Sequence, residues 1–274
     1  MDIGPDGTRS RTEPSRPREP AAGPRRPDPL AGALHQFFAT AAVPCPYLPG
    51  RAERKLIVEL AGRAAPVFYD ELSRAGFRRS HRFAYRPACR ACAACVPVRI
   101  AVAEFADTRS TRRVRNANRD LAGGLVAPRA TLEQFALFLA YQRSRHRDSD
   151  MAAMSFGDYR AMIEESAVRT ALVELRDPAG ALVAVSLVDR LDDGISAVYS
   201  FFDPAQGRRS LGTWSILWLV EECRRTGLGY VYLGYWIADS AKMAYKARFT
   251  ALERLTEGQW TPFVVEAPRP ALSP

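Results

Sequence analysis

The chain has 274 residues, 47% of them hydrophobic and 10% aromatic, enough to bury a core in one or two domains. Its 39 Lys and Arg against 30 Asp and Glu give a net charge of +9, and no apolar run approaches the roughly 20 residues of a membrane span, which excludes an integral membrane protein of the helical kind. The first residues are acidic and proline-rich with no apolar stretch, so no secretory signal is expected. Five cysteines, three of them bunched together, do not form a disulfide framework, and the reducing cytoplasm is the expected compartment.

Residues 1–33 hold seven of the 20 prolines and almost no large apolar side chain, predicting a disordered Pro/Arg-rich tail. A short flexible tail is expected over 266–274. Residues 34–125 are expected to form an N-terminal cysteine-containing basic domain. There Phe77, Phe83 and Tyr85 mark a strand over 77–85 that runs into a cysteine knuckle at 86–97. Val98, Ile100 and Val102 alternate along a strand over 98–104. Thr108 caps a basic helix over 109–121. Thr131 and Gln134 make a capping box for a helix reaching His146.

Residues 126–265 change character. Strands at 170–176, 182–189 and 195–202 are joined by the turns Asp177-Pro178-Ala179-Gly180 and Asp192-Asp193-Gly194, the pattern of an antiparallel meander. A polar loop from Pro204 to Ser210, a helix over 211–226, a strand over 229–235 and a helix over 239–248 follow. The order β-β-β-α-β-α is that of an acyl-CoA N-acetyltransferase core. The expected class is therefore α+β: an N-terminal cysteine-knuckle domain and a C-terminal GNAT-like acyltransferase domain with a mixed sheet and helices.

Charge is unevenly placed. Between Arg74 and Arg119 stand twelve arginines and only two acids, Glu104 and Asp107, a local balance of +10. Such a block predicts a polyanionic partner. Arg109, Arg112, Arg113, Arg115 and Arg119 on the basic helix offer phosphate contacts that position a nucleic acid without reading its sequence. The alternative is a solvated surface helix. The loop Gln206-Gly207-Arg208-Arg209-Ser210-Leu211-Gly212 enters a helix N-terminus, a place where backbone N–H groups receive phosphate. Two arginines where small residues would allow close approach make CoA a poor fit. An ordinary turn capped by Ser210 is the alternative.

Cys89, Cys92 and Cys95 are spaced so that their thiolates could wrap a zinc ion or an iron–sulfur cluster, with Cys45 or His81 as the fourth ligand. Three small half-buried cysteines without metal are the alternative. Cys223, inside an apolar helix, reads as core. Two of the three lysines, Lys242 and Lys246, lie four apart beside Tyr245 and would share one helix face, suited to an acidic ligand or a developing oxyanion. His146 reads as a helix-end cation. Asp158, Glu164 and Glu165 read as solvated helix positions. No Ser/His/Asp order supports a hydrolase.

Together, Cys45-Pro46-Tyr47-Leu48-Pro49-Gly50, Gly76-Phe77-Arg78-Arg79-Ser80 and Tyr85-Arg86-Pro87 resemble the N-terminal domain of aminoacyl-tRNA–protein transferases. Asp203-Pro204, Arg209-Ser210-Leu211-Gly212, Tyr232-Leu233-Gly234-Tyr235-Trp236 and Lys242-Met243-Ala244-Tyr245-Lys246 resemble that family's C-terminal domain. The match runs in order over about residues 34–262 and is nearest to the bacterial aspartate/glutamate leucyltransferase branch. Phe105-Ala106-Asp107-Thr108 and Ala251 depart from the family's pattern. The resemblance implies transfer of leucine from Leu-tRNA to proteins that begin with Asp or Glu, marking them for N-degron proteolysis, with no cofactor required for transfer.

The chemistry implied is aminolysis of an ester. An α-amine of pKa about 7.7–8.0 is already partly neutral near pH 7, so positioning and oxyanion stabilisation can carry the rate without a strong base. On this reading Tyr245 or Tyr199 relays the proton, and Lys242 or Lys246 stabilises the oxyanion or binds the substrate carboxylate. Arg78 and Arg79 are rival carboxylate receivers. Phe201 and Trp236 contribute to an apolar leucine pocket, and the arginines of helix 109–121 with Arg208 and Arg209 grip tRNA phosphates. Three other readings stay open: arginine as the donor residue, acyl transfer from acyl-CoA, and a non-enzymatic RNA-binding protein built on the basic block.

Overall fold

The computed structural model describes residues 1, 35–145, 147 and 149–263. The C-terminal tail, His146 and, Met1 apart, the N-terminal tail fall outside the described residues. Strands β1 (Phe37–Ala39), β2 (Val43–Pro44), β3 (Ala52–Glu53) and β4 (Lys55–Glu59) precede helix α1 (Ala65–Arg74), then β5 (Arg78–Ser80) and β6 (Phe83–Pro87). Four of these strands form an antiparallel sheet in the order β1-β4-β6-β5. Its inner face buries Val58 and Ala84 against Phe68, Tyr69 and Leu72 of α1. Two residues past the end of α1, Gly76 takes a φ of +81° and turns the chain into β5. A side chain there would strike Leu255 and Pro97, so only glycine fits.

The expected single strand over 77–85 is a hairpin. His81, at a φ of 51°, turns the chain so that Ser80 pairs with Phe83. Next come β7 (Val96–Ala101), α2 (Arg109–Ala117), β8 (Ala122–Val126), α3 (Leu132–Arg145), α4 (Phe156–Glu164), β9 (Thr170–Arg176), β10 (Leu182–Arg190) and β11 (Gly194–Phe202). Thr108 caps α2 as expected, its hydroxyl accepting from the Thr111 N–H at 3.1 Å. The helix stops four residues short of 121. Buried Asn118 bends its amide back to the Val114 carbonyl and across to the Arg209 carbonyl, both at 2.8 Å. The Thr131–Gln134 capping box is formed on both sides.

The chain closes with α5 (Leu211–Thr226), β12 (Tyr230–Trp236), α6 (Ala241–Ala244), β13 (Leu252–Thr256) and β14 (Gln259–Pro262). Eight strands make one sheet in the order β14-β13-β7-β12-β11-β10-β9-β8. The meander β9-β10-β11 lies as the alternation and turns predict, and Asp177 organises the first turn by accepting from the N–H groups of Ala179 and Ala181. The sheet is mixed, its parallel pair being β11 with β12. It also draws β7 and β8 from the segment ahead of residue 126, because the apolar runs of both strands find their partners there. Helix α5 covers one face with Leu211, Ile216, Leu219, Val220 and Cys223. Phe138, Tyr159, Ile163 and Phe201 form a second cluster under α3 and α4.

The two sheets are pinned together by charge. Arg79 of β5 forks onto Asp189 of β10 at 2.7 and 2.8 Å, with both side chains essentially out of solvent. The same Asp189 accepts from Thr170, and Arg79 also donates to the His81 carbonyl. A planar fork on a carboxylate with its remaining lone pairs satisfied is the arrangement that makes such a burial tolerable.

Candidate active site

The parallel seam of the sheet, between β11 and β12, opens. Strands β11 and β12 pair only over Gly194–Ser196 and Tyr230–Tyr232, although β11 continues to Phe202 and β12 to Trp236. Both strands are irregular where they part: Leu187 pairs with Tyr199 and Val188 with Ala197, leaving Val198 as a bulge. Across from it, the β12 register against β7 shifts between Tyr232 and Gly234. Divergence strips backbone groups of their ladder partners, and each needs a substitute.

Arg78 supplies it on one side. From β5 its guanidinium donates to Ser196 Oγ at 3.1 Å and to the carbonyls of Ala197 and Val198 at 2.5 and 3.3 Å. Lys246 supplies it on the other, its Nζ donating to the Tyr235 carbonyl at 2.5 Å and lying 3.3 Å from Met243 Sδ. Lys246 is 6% exposed, and burial, with Arg78 nearby, pushes its ammonium down to about 7. Tyr235 fastens this corner to the smaller sheet by donating to the carbonyls of Gly76 and Tyr85.

Two buried phenols stand near Tyr141. Tyr199 Oη accepts from Gln142 Nε2 at 2.7 Å, and burial beside the Tyr141 phenol raises its pKa far above the ordinary value. Tyr245 is pushed up to about 12 by burial and by the same Tyr141, with Arg78 opposing. Both are therefore held as neutral O–H groups at physiological pH. Tyr141 stands edge-on to Phe202, and Trp236 edge-on to Phe263, each with ring centroids 4.9 Å apart. The Trp236 indole N–H is buried with no hydrogen-bond partner among the described residues.

The structure thus brings Tyr199 and Tyr245 together around Tyr141, and Tyr245 and Lys246 together beside Arg78, while Trp236 packs on Phe263. It does not bring the rest of the expected set. The expected helix over 239–248 is four residues of α6 followed by a tighter turn at Tyr245–Arg248, so Lys242 and Lys246 do not share a face. Lys242 stays exposed while Lys246 goes inside. Arg79 is committed to Asp189 and cannot receive a substrate. Phe201 is fully buried among Phe138, Tyr159 and Tyr199, a floor beneath the site and not part of its lining. Residues the sequence reading did not single out include Gln142, Tyr141 and Ser196. For Gly234, a glycine inside a strand pattern was the available signal of a bulge.

Beside the site, α2 and the loop before α5 are joined. Asn118 holds the Arg209 carbonyl, and Arg209 forks onto Asp120 at 2.8 Å. Arg115 is likewise occupied, by Asp107 and Glu221. Arg109, Arg112, Arg113, Arg119 and Arg208 are exposed, Arg112 reaching back to the Asp107 carbonyl. Ser210 takes a left-handed φ of 53° and makes no side-chain cap, contrary to the simple capped-turn expectation.

The cysteines occupy an adjoining cavity of about 270 Å³, lined by Cys45, Cys89, Cys92 and Cys95 with Tyr47, Lys55, Tyr85 and Tyr235. Arg51 donates to Cys92 Sγ at 3.3 Å, and the Ala94 backbone with this arginine holds the Cys92 thiol below its usual value. Burial and the three neighbouring thiols push Cys95 up to about 11. His81 stands exposed in the β5–β6 turn, away from this cavity. Thiols suit zinc or an iron–sulfur cluster, but among the described residues no three Cys, His, Asp or Glu side chains are placed to hold a metal ion.

Comparison with known proteins gives the class. Residues 43–113 match the family model for the N terminus of arginine-tRNA-protein transferases, and residues 133–256 match the model for their C terminus. The protein is an aminoacyltransferase. The aspartate/glutamate leucyltransferase of Gluconacetobacter diazotrophicus is 54% identical over 239 residues, 87% of this chain and 89% of that protein. Those of Paramagnetospirillum magneticum and Rhodospirillum rubrum are each 53% identical, over 84% of this chain and 94% of theirs. The chain belongs to the arginine-tRNA-protein transferase family, among relatives that bear the leucyltransferase name. Among solved structures, L-PGS from Bacillus licheniformis aligns over 66% of this chain and 52% of that one, at 10% identity and a TM-score of 0.42.

Proposed function

We propose that this protein transfers leucine from Leu-tRNA to the α-amine of polypeptides that begin with Asp or Glu. The observation that carries the reading is identity of 53–54% with three aspartate/glutamate leucyltransferases across most of both chains. The amine attacks the aminoacyl ester carbonyl, a C–N bond forms, and the ribose hydroxyl leaves with the proton that the amine gives up. The opened seam between β11 and β12 receives the ester. Tyr199 and Tyr245 hold neutral O–H groups there, suited to donate to the departing ribose oxygen and to accept the amine proton in relay. Lys246 acts through the Tyr235 carbonyl as a positioning residue, and exposed Lys242 is the cation free to meet the acceptor carboxylate.

Tyr141, Phe202 and Trp236 offer the apolar wall for the leucine side chain. The exposed arginines of α2, with Arg208, contact tRNA phosphates, and a tRNA substrate places the protein in the cytoplasm. The test is transfer of labelled Leu or Arg from charged tRNA, or of acetyl from acetyl-CoA, to peptides beginning Asp, Glu, Lys or Ala. Leucine entering only the Asp and Glu peptides is expected. Arginine entering them instead would overturn the donor, and transfer from acetyl-CoA alone would overturn the tRNA reaction.

A further inference from the structure

Arg78 lies at the mouth of the opened seam, and its chemistry there is not that of a carboxylate receiver. Its two terminal nitrogens already serve β11, through Ser196 Oγ and the carbonyls of Ala197 and Val198. The third nitrogen, Nε, faces Gly234 of β12, where a Cβ would sit 2.6 Å from Nε and 2.8 Å from Cζ. Gly234 also holds a φ of +73°. The guanidinium is therefore a flat plate pressed between two strands that have stopped pairing. It satisfies the carbonyls of the strand it faces and occupies the space in which β12 would otherwise close on β11.

We propose that Arg78 is a positioning residue, a wedge that keeps β11 and β12 apart and fixes the Ala197–Val198 bulge against which the aminoacyl ester is held. Gly234 is the second half of the device, because only a residue without a side chain leaves room for the plate. A lysine cannot replace Arg78: a point ammonium has neither the planar fork for adjacent carbonyls nor the width to separate strands. The inference rests on the transfer reaction proposed above but adds a role to a residue that the sequence placed among substrate ligands.

The test compares Arg78→Ala, Arg78→Lys and Gly234→Ala as full chains, with initial rates on Asp-, Glu- and Ala-starting peptides and thermal melting with and without guanidinium ion. In the wedge account kcat falls by about a hundredfold in all three variants, the loss expected when a bound group is misplaced by about 1 Å. KM for the Asp peptide and the preference for Asp over Ala stay at wild-type values. Guanidinium ion partly restores kcat in Arg78→Ala and raises its Tm, with neither effect on Gly234→Ala. The melting readout does not depend on transfer, so failure of the wedge is distinguishable from failure of the assigned reaction. The inference is overturned if Arg78→Ala loses Asp-over-Ala preference through a raised KM while Gly234→Ala behaves as wild type. It is equally overturned if guanidinium ion leaves the Tm of Arg78→Ala unmoved.

Discussion

Lys246 carries an ammonium into a site where 6% of the residue remains exposed, with Arg78 on the same side of the opening and Cys95 as its other charged-capable neighbour. Its pKa of about 7, against an ordinary 10.5, has a defined consequence for stability. Between those values the unfolded chain holds a proton that the folded chain has released, so stability rises with pH across the window. Below about 7 the folded state bears the full cost of a charged, desolvated lysine. Lys246→Met removes this dependence. The stability of wild type relative to the variant should therefore climb as pH rises from 7 to 10, by about 1.4 kcal/mol for each unit of pH. Urea denaturation at several pH values measures it, and parallel curves for the two proteins would contradict the assignment. The sequence could not disclose this contrast between Lys242 and Lys246. Their spacing is that of one helical face, and only the change from α6 to a tighter turn sends one outward and the other in.

At the scale of elements, the opened seam depends on how the smaller sheet is docked, and the docking depends on Arg79 with Asp189. Both side chains are at most 1% exposed, so solvent does little to screen the pair. Asp189→Ala leaves a buried guanidinium without its carboxylate and should cost roughly 3–5 kcal/mol in chemical denaturation. The double variant Arg79→Met, Asp189→Leu should recover most of that loss, because the pair's own desolvation penalty disappears with it. A single variant no less stable than wild type would contradict the pinning role. Elements with strong local signals were legible. The bounds of β9 and α5 agree with the periodicity, and the Thr108 and Thr131 caps are where the residues put them. The β5–β6 hairpin was not legible, because its turn uses His81 and Arg82 in place of glycine, asparagine or proline. Nor was the inclusion of β7 and β8 in the large sheet, since partners so distant in sequence leave no local pattern.

The whole molecule combines two surfaces: the opened seam, and the arginine face formed by α2 with the loop ahead of α5. The sequence identified the arginine block but could not separate exposed from occupied residues, and the structure withdraws Arg115 and Arg209 into ion pairs. The exposed set should govern tRNA affinity in a way that salt reveals. Replacing Arg109 and Arg113 together by Ala should weaken binding evenly across tRNA species and flatten the slope of log K against log salt by about 1.5. Filter binding at several salt concentrations measures this, and an unchanged slope would place the tRNA elsewhere. Among the described residues no helix is long and apolar enough to cross a membrane. The family was legible because its motifs lie in order along both halves of the chain. The site was legible only in part, because Arg78 and Lys246 act there on backbone carbonyls, which leave no pattern in the side chains.

The measurement that tests the central claim most directly is tandem mass spectrometry of an Asp-starting peptide after incubation with the protein and charged Leu-tRNA. A matched peptide with an acetylated N-terminus serves as the control. The account predicts one added leucyl residue, located by fragmentation on the α-amine of the Asp peptide, and none on the acetylated one. Leucine on an internal side chain, or an unmodified Asp peptide beside intact Leu-tRNA, would contradict it.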